Sequence, residues 1–454
     1  MGPPVDLLEE ALERPWLLGR EGPVNLRGAF ESARKQIREA CAEGIGEGVL
    51  LCFQDPEKFV AAWLAALAEG RPVFFADPDW GAVQWAQLEE VLAPGCVLSD
   101  RPKPLIELAR EDCIGFEHCM GIPTGGTGGR VKFALHRWAT LAASVKATAA
   151  FFQLDAIAAP AMLPLHHVSG LMPLVRALET GGVVRLPAAE ETLAEGVERF
   201  AAEVPGGCLS LVPTQLQRLL TGSPAPALLE ALRRYACIFL GGGPASPELL
   251  EMARRVRLPI SPVYGMTETA SMVAAQRPAD FLAGAPLALE PLPHASFETE
   301  KGRLVVRADS LFLGYYAELP RPRERFVSGD AGSLTADGRL RLEGRADRIL
   351  ISGGEKVDAR RVEAALVASG FAIEALVFGR PDPEWGTVVC ALLVAAADRE
   401  TLPLAEARAR LKSHVEPAAV PRQIRWVQAI PRNAANKPDW PAIEALFAAG
   451  SDAP

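Results

Sequence analysis

No Cys-x-x-Cys pair occurs in this chain: its eight cysteines stand at 41, 52, 96, 113, 119, 208, 237 and 390, scattered through 454 residues. Such scatter speaks against a zinc site or a disulfide framework and suits a reducing compartment. Positive charge is not in excess either. Lys and Arg number 47 against 56 Asp and Glu, a formal net charge of −9, which argues against a general nucleic-acid binder. A long unbroken apolar run is missing too. The greasiest region, 158–178, is interrupted by His166, His167 and Arg176, so no membrane span is expected. Residues 1–20 are acidic and amphipathic, not basic and then apolar, which excludes an ordinary secretory signal. Nothing repeats at a fixed period, so solenoids and propellers are set aside. The expectation is a cytoplasmic protein with no membrane span and no nucleic-acid partner. What is present is core material: 49% hydrophobic and 23% charged residues, on a length that suggests two to four domains.

Residues 1–118 alternate helical patterns (5–13, 26–42, 57–68) with short apolar runs (48–53, 72–76, 96–99), as βαβ units of a mostly parallel sheet do. The alternation continues through a helix over 139–152 and an apolar strand at 161–165. Further strands are predicted at 183–186, 208–212, 237–241 and 259–264, with helices at 213–220 and 247–255 between them. Past about residue 284 the texture changes. Runs at 302–308, 338–343 and 348–351 are short and separated by Gly/Asp turns, like a small antiparallel sheet. A compact α+β segment follows, with helices at 359–368 and 404–414 and strands at 374–378, 388–395 and 424–427. The fold class is therefore α/β: a large N-terminal part of mixed, mostly parallel sheets layered with helices and carrying a small antiparallel β subdomain, then a smaller α+β part.

Chemistry-bearing residues gather in a few short stretches. Pro123 to Lys132 holds four glycines, two threonines and two cations in ten residues. Backbone N–H groups freed by glycine can converge on an anion, and hydroxyls and cations complete a phosphate cradle. No Gly-Lys is followed by Ser or Thr, so this is not a Walker loop, and a glycine-rich surface turn is the bland alternative. His166 and His167 follow the apolar run at 161–165; no third ligand at metal spacing supports zinc, and an ordinary strand-end pair is the simpler reading. Gly241, Gly242 and Gly243 follow a buried strand, where α/β proteins place ligands, or else form a tight turn. Tyr264-Gly-Met-Thr-Glu268 joins an aromatic face, a hydroxyl and a carboxylate in five residues, a set that can cover an adenine, touch a phosphate and hold Mg2+. An exposed polar turn is its alternative. Asp330, Arg345, Asp347, the Ser352–Lys356 stretch and Pro431–Lys437 are weak signals singly, and Lys437 alone reads as a solvated lysine.

In order and spacing, these pieces from Pro123 to Lys437 resemble the adenylate-forming superfamily of acyl-CoA synthetases, peptide-synthetase adenylation domains and luciferases. The superfamily's phosphate loop reads roughly Thr-Ser-Gly-Thr-Thr-Gly-x-Pro-Lys-Gly. Thr124, Thr127, Gly129 and Lys132 match it, whereas Gly125, Gly128, Val131 and Phe133 depart, leaving fewer side chains for the triphosphate. Residues 163–171, 264–271 and 431–437 look like the o-succinylbenzoate–CoA ligases of menaquinone and phylloquinone biosynthesis.

The resemblance implies an AMP-forming acid–thiol ligase that uses ATP, Mg2+ and coenzyme A on a small aromatic carboxylic acid, with o-succinylbenzoate as the expected acid. It implies that Lys437 bridges the carboxylate and the α-phosphate. Thr124, Thr127 and Lys132, with the backbone of Gly125, Gly126, Gly128 and Gly129, would steady the outer phosphates. Thr267 would touch a phosphate and Glu268 hold Mg2+. Gly241, Gly242, Gly243, Tyr264 and Gly265 would enclose adenine, and Asp330 and Arg345 would fix the ribose. His167 would lie at the acyl pocket and gate the thiol, and Arg176 would meet a second substrate carboxylate, unless it is a helix-surface arginine. A domain over 1–346 would be followed by a mobile C-terminal domain over 347–454, hinged at Asp347 and presenting Gly353 and Gly354 for the second half-reaction. Other aryl- or acyl-CoA ligases, carrier-protein-loading domains and non-catalytic nucleotide binders remain as alternatives.

Overall fold

A computed structural model gives the fold and describes residues 2–42, 48–92, 96–100, 115–125, 131–188, 190–222, 224–318, 320–368, 370, 372–395, 406, 415, 417–432 and 438–448. The chain gathers into two compact units. One comprises Met1–Glu298, Val305–Phe326 and Leu334–Arg341; the other comprises Thr299–Leu304, Val327–Ser333 and Leu342–Pro454.

In the first unit, one sheet is built from β1 (Val49–Cys52), β2 (Val73–Phe75), β3 (Cys96–Ser99), β4 (Met120–Gly125) and β5 (Val131–His136) in the order β3-β1-β2-β4-β5. The first four run parallel, and β5 turns back antiparallel on β4, setting Thr124 opposite Lys132. Val49–Cys52 and Val73–Phe75 are apolar and buried without alternation, as a parallel sheet covered on both faces requires. One cover is α1 (Pro56–Ala68), buried at every residue from Phe59 to Leu67. A helix apolar all round belongs in the interior. The Asp55 carboxylate starts it by accepting from the Glu57 and Lys58 N–H groups, and Pro56 occupies the position whose missing N–H costs nothing.

The unit's second sheet holds β6 (Cys208–Leu211), β7 (Cys237–Leu240) and β8 (Ile260–Met266) in parallel. β9 (Ser271–Ala275) returns antiparallel on β8, and the two-residue strand Glu290–Pro291 closes the edge. Between the sheets' sequences lie α2 (Trp138–Phe152) and α3 (Val168–Thr180).

Two sequence expectations need correction. The apolar run 161–165 is not a strand: pairing stops with Ala159–Pro160, and the following residues are irregular. Prolines at 160 and 164 remove two ladder donors, and the Pro164 carbonyl instead accepts the His167 N–H at 3.1 Å. The histidines therefore stand at the start of α3, with His167 as its N-cap, and not at a strand end. The glycine-rich stretch 123–132, read as a loop, is flanked into its ends by strands β4 and β5. Gly126, Thr127, Gly128 and Gly129 lie outside the described residues.

The second unit contains a hairpin, β10 (Ile349–Ser352) and β11 (Glu355–Asp358), turned by Gly353 and Gly354, and then α4 (Ala359–Ala368). Its sheet pairs β12 (Glu374–Asp382) antiparallel with β13 (Gly386–Val394), which runs parallel to β14 (Gln423–Val427). Alternate residues serve opposite faces. Val377, Val389 and Leu393 pack with Val362 and Leu366 of α4, whereas Phe378, Cys390 and Leu392 pack with Ile443 and Phe447 of α5 (Trp440–Ala448). The helix expected over 404–414 lies outside the described residues, residue 406 excepted. Among the described residues no helix is long and apolar enough to cross a membrane.

Candidate active site

The Tyr264–Glu268 motif occupies the end of β8 and a short 3-10 turn, Thr267–Thr269, that leads into β9. Four successive carbonyls, the turn's three and that of Ala270 just after it, each meet a donor from elsewhere in the first unit. The Thr267 oxygen is 2.7 Å from His136 Nε2, and the Glu268 oxygen accepts the Phe312 N–H at 2.8 Å. The Thr269 oxygen accepts the Ser310 hydroxyl at 2.9 Å, and the Ala270 oxygen the Ser144 hydroxyl at 2.8 Å. A carbonyl only accepts, so His136 must carry its proton on Nε2, leaving Nδ1 for the Thr140 hydroxyl at 3.0 Å. Burial lowers His136 to about 4, so the ring is neutral. Gly265 completes the arrangement. A bulge interrupts the β8–β9 register there, and a Cβ would overlap the Ser271 carbonyl.

With its backbone held from behind, the turn aims the buried Glu268 side chain at Tyr315, whose hydroxyl donates to Oε1 at 2.7 Å. Burial, and then the adjacent carboxylate, push the Tyr315 hydroxyl upward, so it remains a donor. The other face of the cluster carries a cation: Lys132 Nζ stands 5.2 Å from the Tyr315 ring centre, opposite Thr124 on the neighbouring strand. A carboxylate whose second oxygen makes no hydrogen bond among the described residues, beside a lysine and a threonine, is a donor set that fits Mg2+ accompanied by phosphates. The exposed-turn reading of this motif fails, since Glu268 is buried. Tyr264 is buried too, its ring 6.2 Å from that of Phe297. Gly241, Gly242 and Gly243 follow β7 at the carboxyl end of the same sheet, and Gly242 has φ +77°.

Arg176 is not a surface residue. It lies within α3 at 3% exposure, donates to the Ser271 hydroxyl at 3.1 Å, and sits 5.4 Å from the Phe239 ring centre. Burial lowers it to about 10, and its Nε has no hydrogen-bond partner among the described residues. Among the described residues no carboxylate pairs with it. His166 and His167 lie at the amino end of the same helix, with ring centres 4.4 Å apart. The structure supplies what the sequence spacing lacked, a third ligand-capable group: Asp77, whose Oδ2 is 3.7 Å from His166 Nε2.

In the second unit, Arg345 and Asp330 come together, Nη1 to Oδ1 at 3.5 Å, and a Cβ at Gly329 would overlap the guanidinium. Asp347 falls in the short 3-10 turn Ala346–Arg348, next to Arg348, which pairs with Glu363. The Gly353 N–H donates to the Trp385 carbonyl at 3.0 Å, and Arg422 covers the Trp385 ring at 3.6 Å. Lys437 lies outside the described residues. Sequence reasoning missed Asp77, Ser144, Ser310 and Tyr315 altogether. Asp77, Ser144 and Ser310 stand in no glycine-punctuated motif, Tyr315 follows a lone Gly314, and each meets its partner only through the fold. His136 was visible only as the end of the run following the glycine-rich loop.

Comparison with known proteins places this arrangement. The AMP-binding enzyme family matches residues 117–316, and the AMP-binding enzyme C-terminal domain matches residues 361–437. The 2-succinylbenzoate–CoA ligase of Bacillus licheniformis is 33% identical over 335 residues, 69% of this chain and 67% of that protein. Its counterpart from Enterococcus faecalis is 30% identical over 332 residues, 69% and 66% of the two chains. Aligned segments span 58% to 67% of the length of such curated relatives. The o-succinylbenzoate CoA synthetase of Bacillus subtilis, solved with its acyl-adenylate intermediate, has the same fold: TM-score 0.79 at 22% identity, covering 96% of this chain and 97% of that one. An amide bond synthetase from Marinactinospora thermotolerans is also similar in fold, with TM-score 0.69 at 24% identity over 98% and 100% of the two chains. This chain belongs to the AMP-binding, adenylate-forming enzyme family, and its similar curated relatives are 2-succinylbenzoate–CoA ligases.

Proposed function

We propose that this chain is an AMP-forming acid–thiol ligase that activates o-succinylbenzoate as its acyl-adenylate and passes the acyl group to coenzyme A. The observation that carries the substrate class is Arg176. A buried guanidinium without an anionic partner is costly, and the retained carboxylate of a dicarboxylic aromatic acid would supply one. Its attachment to Ser271, three residues past Glu268, ties that charge to the adenylating turn. The likeness to 2-succinylbenzoate–CoA ligases supports the same acid.

The first half-reaction brings a carboxylate against a triphosphate, so charge neutralisation is its main physical problem. ATP enters as the magnesium complex, and Glu268 is the residue we assign to the metal. Lys132, Thr124, Thr127 and the backbone of residues 125–129 hold the outer phosphates, and Thr267 touches a phosphate. Gly241, Gly242, Gly243, Tyr264 and Gly265 border the adenine; Asp330 and Arg345 take the ribose. Lys437 joins the carboxylate to the α-phosphate, which fixes both reactants in line. For the second half-reaction we assign the hinge to Asp347, the boundary between domains 1–346 and 347–454, and the thiol-side surface to Gly353 and Gly354. His167 guards the acyl pocket. We further propose that the reaction runs in the cytoplasm, where six buried free cysteines (52, 96, 119, 208, 237 and 390) stay reduced.

The test is an AMP and pyrophosphate assay with o-succinylbenzoate, ATP, Mg2+ and coenzyme A. Acid-dependent pyrophosphate release and a CoA-dependent thioester are expected. ADP as product would sink the adenylation assignment, and equal turnover of monocarboxylic benzoates would sink the choice of acid. Acyl transfer to an amine or a carrier protein in place of CoA would replace the acceptor.

A further inference from the structure

We propose that Asp77, His166 and His167 form a binding site for one divalent transition-metal ion of the zinc class, separate from the carboxylate assigned to magnesium. The three side chains come from distant parts of the sequence. Asp77 follows β2 at its carboxyl end, and the histidines open α3. One ligand-capable atom from each lies within 4.8 Å of the others.

Three features make this more than a chance cluster. First, His166 is only 8% exposed and its Nε2 has no hydrogen-bond partner among the described residues, although Asp77 Oδ2 stands 3.7 Å away. A buried ring nitrogen left unpaired carries a cost that coordination would remove. Second, Asp77 is already oriented: its Oδ1 accepts the Asp79 N–H at 2.9 Å, leaving Oδ2 to face the imidazole. Third, the histidine backbone is fixed by the start of α3, where the His167 carbonyl accepts the Gly170 and Leu171 N–H groups at 3.0 and 2.9 Å.

The chemistry of the set selects the ion. Two imidazoles and one carboxylate suit zinc, cobalt or nickel and not magnesium, which prefers oxygen ligands and keeps its waters. Zinc bonds of about 2.0–2.1 Å put tetrahedral ligand atoms roughly 3.3 Å apart, so side-chain rotations closing at most about 1.5 Å complete the geometry. A ligand imidazole must be neutral. Burial favours the neutral form, lowering His166 to about 4 and shifting His167 in the same direction, against the pull of Asp77. His167 is the exposed member and gives the ion its way in, leaving a fourth position for water.

The test uses the full chain in excess Mg2+, titrated with Zn2+ by calorimetry and with Co2+ by absorption. One equivalent of Zn2+ is expected, with Co2+ showing tetrahedral ligand-field bands and no thiolate charge transfer. Asp77→Asn and His166→Phe are each expected to weaken Zn2+ binding by about tenfold or more. Asp77→Asn keeps the side chain's shape, so it decides the matter if His166→Phe does not fold. Zn2+ should also protect the two histidines of the unaltered chain from acylation by diethyl pyrocarbonate. Absence of stoichiometric Zn2+ binding, a cobalt–thiolate band, or unchanged affinity in folded Asp77→Asn overturns the proposal.

Discussion

At Gly265 and Arg176, single residues constrain the candidate site. Gly265 has no space for a methyl group, because the Ser271 carbonyl occupies it. Gly265→Ala is expected to destabilise the chain by roughly 1–3 kcal/mol, the usual range for overpacking, and to depress adenylation with it. A urea midpoint within error of the unaltered protein would contradict that. Arg176→Ala should raise KM for the dicarboxylic acid at least tenfold while leaving KM for plain benzoate nearly unchanged; equal effects on both would remove it from the pocket. For this residue the sequence left a helix-surface arginine and a pocket cation almost equally open. Only three-dimensional burial separates them, since α3 is covered along nine consecutive residues, Gly170 to Leu178, and no helical periodicity shows which face is inward.

The turn from Thr267 to Ala270 is where elements cooperate. Its carbonyls are held by groups on β5, on α2 and in the 310–312 segment. Ser310→Ala strands the buried Thr269 carbonyl, for which about 1–3 kcal/mol of stability loss is expected. The same variant should slow acid-dependent ATP–pyrophosphate exchange more than it raises KM for ATP, because a loosened turn misplaces Glu268 rather than deleting a contact. Unaltered exchange in a destabilised protein would reduce the turn to a purely structural role. Much of this level was readable beforehand. Patterns at 5–13, 96–99, 213–220, 247–255 and 359–368 match the observed elements end to end, since each is bounded by proline, glycine or a cap. The run at 161–165 misled because apolar content survives where prolines have removed the ladder donors. The motif residues 264–268 were legible, whereas the donors that hold them were not, because their partners lie as far as 131 positions away.

For the molecule as a whole, acid is the informative perturbation. His136, His166 and His294 are each lowered to about 4 by burial, against about 6.5 in an unfolded chain. The stability they contribute is complete above pH 6.5 and is lost as pH falls toward 4, because the unfolded state takes up protons that the native state refuses. At pH 5 the loss is about 2 kcal/mol for a fully buried case such as His136. The urea midpoint should therefore drop between pH 7 and pH 5 at constant m-value, and His136→Gln should flatten the drop. A pH-independent midpoint would show these rings to be solvated. The two half-reactions offer a second measurement on the full chain. Lys437→Ala is expected to abolish adenylation yet largely spare thioester formation from supplied acyl-adenylate, and equal loss of both would remove Lys437 from its assigned role. The held turn also bears on how the protein is made. On the ribosome, residues 264–270 emerge well before Ser310 and Phe312, so this turn has to wait, with two carbonyls unmet, until synthesis has passed residue 312. A nascent chain arrested short of that point should bind no nucleotide, however completely its parallel strands have paired.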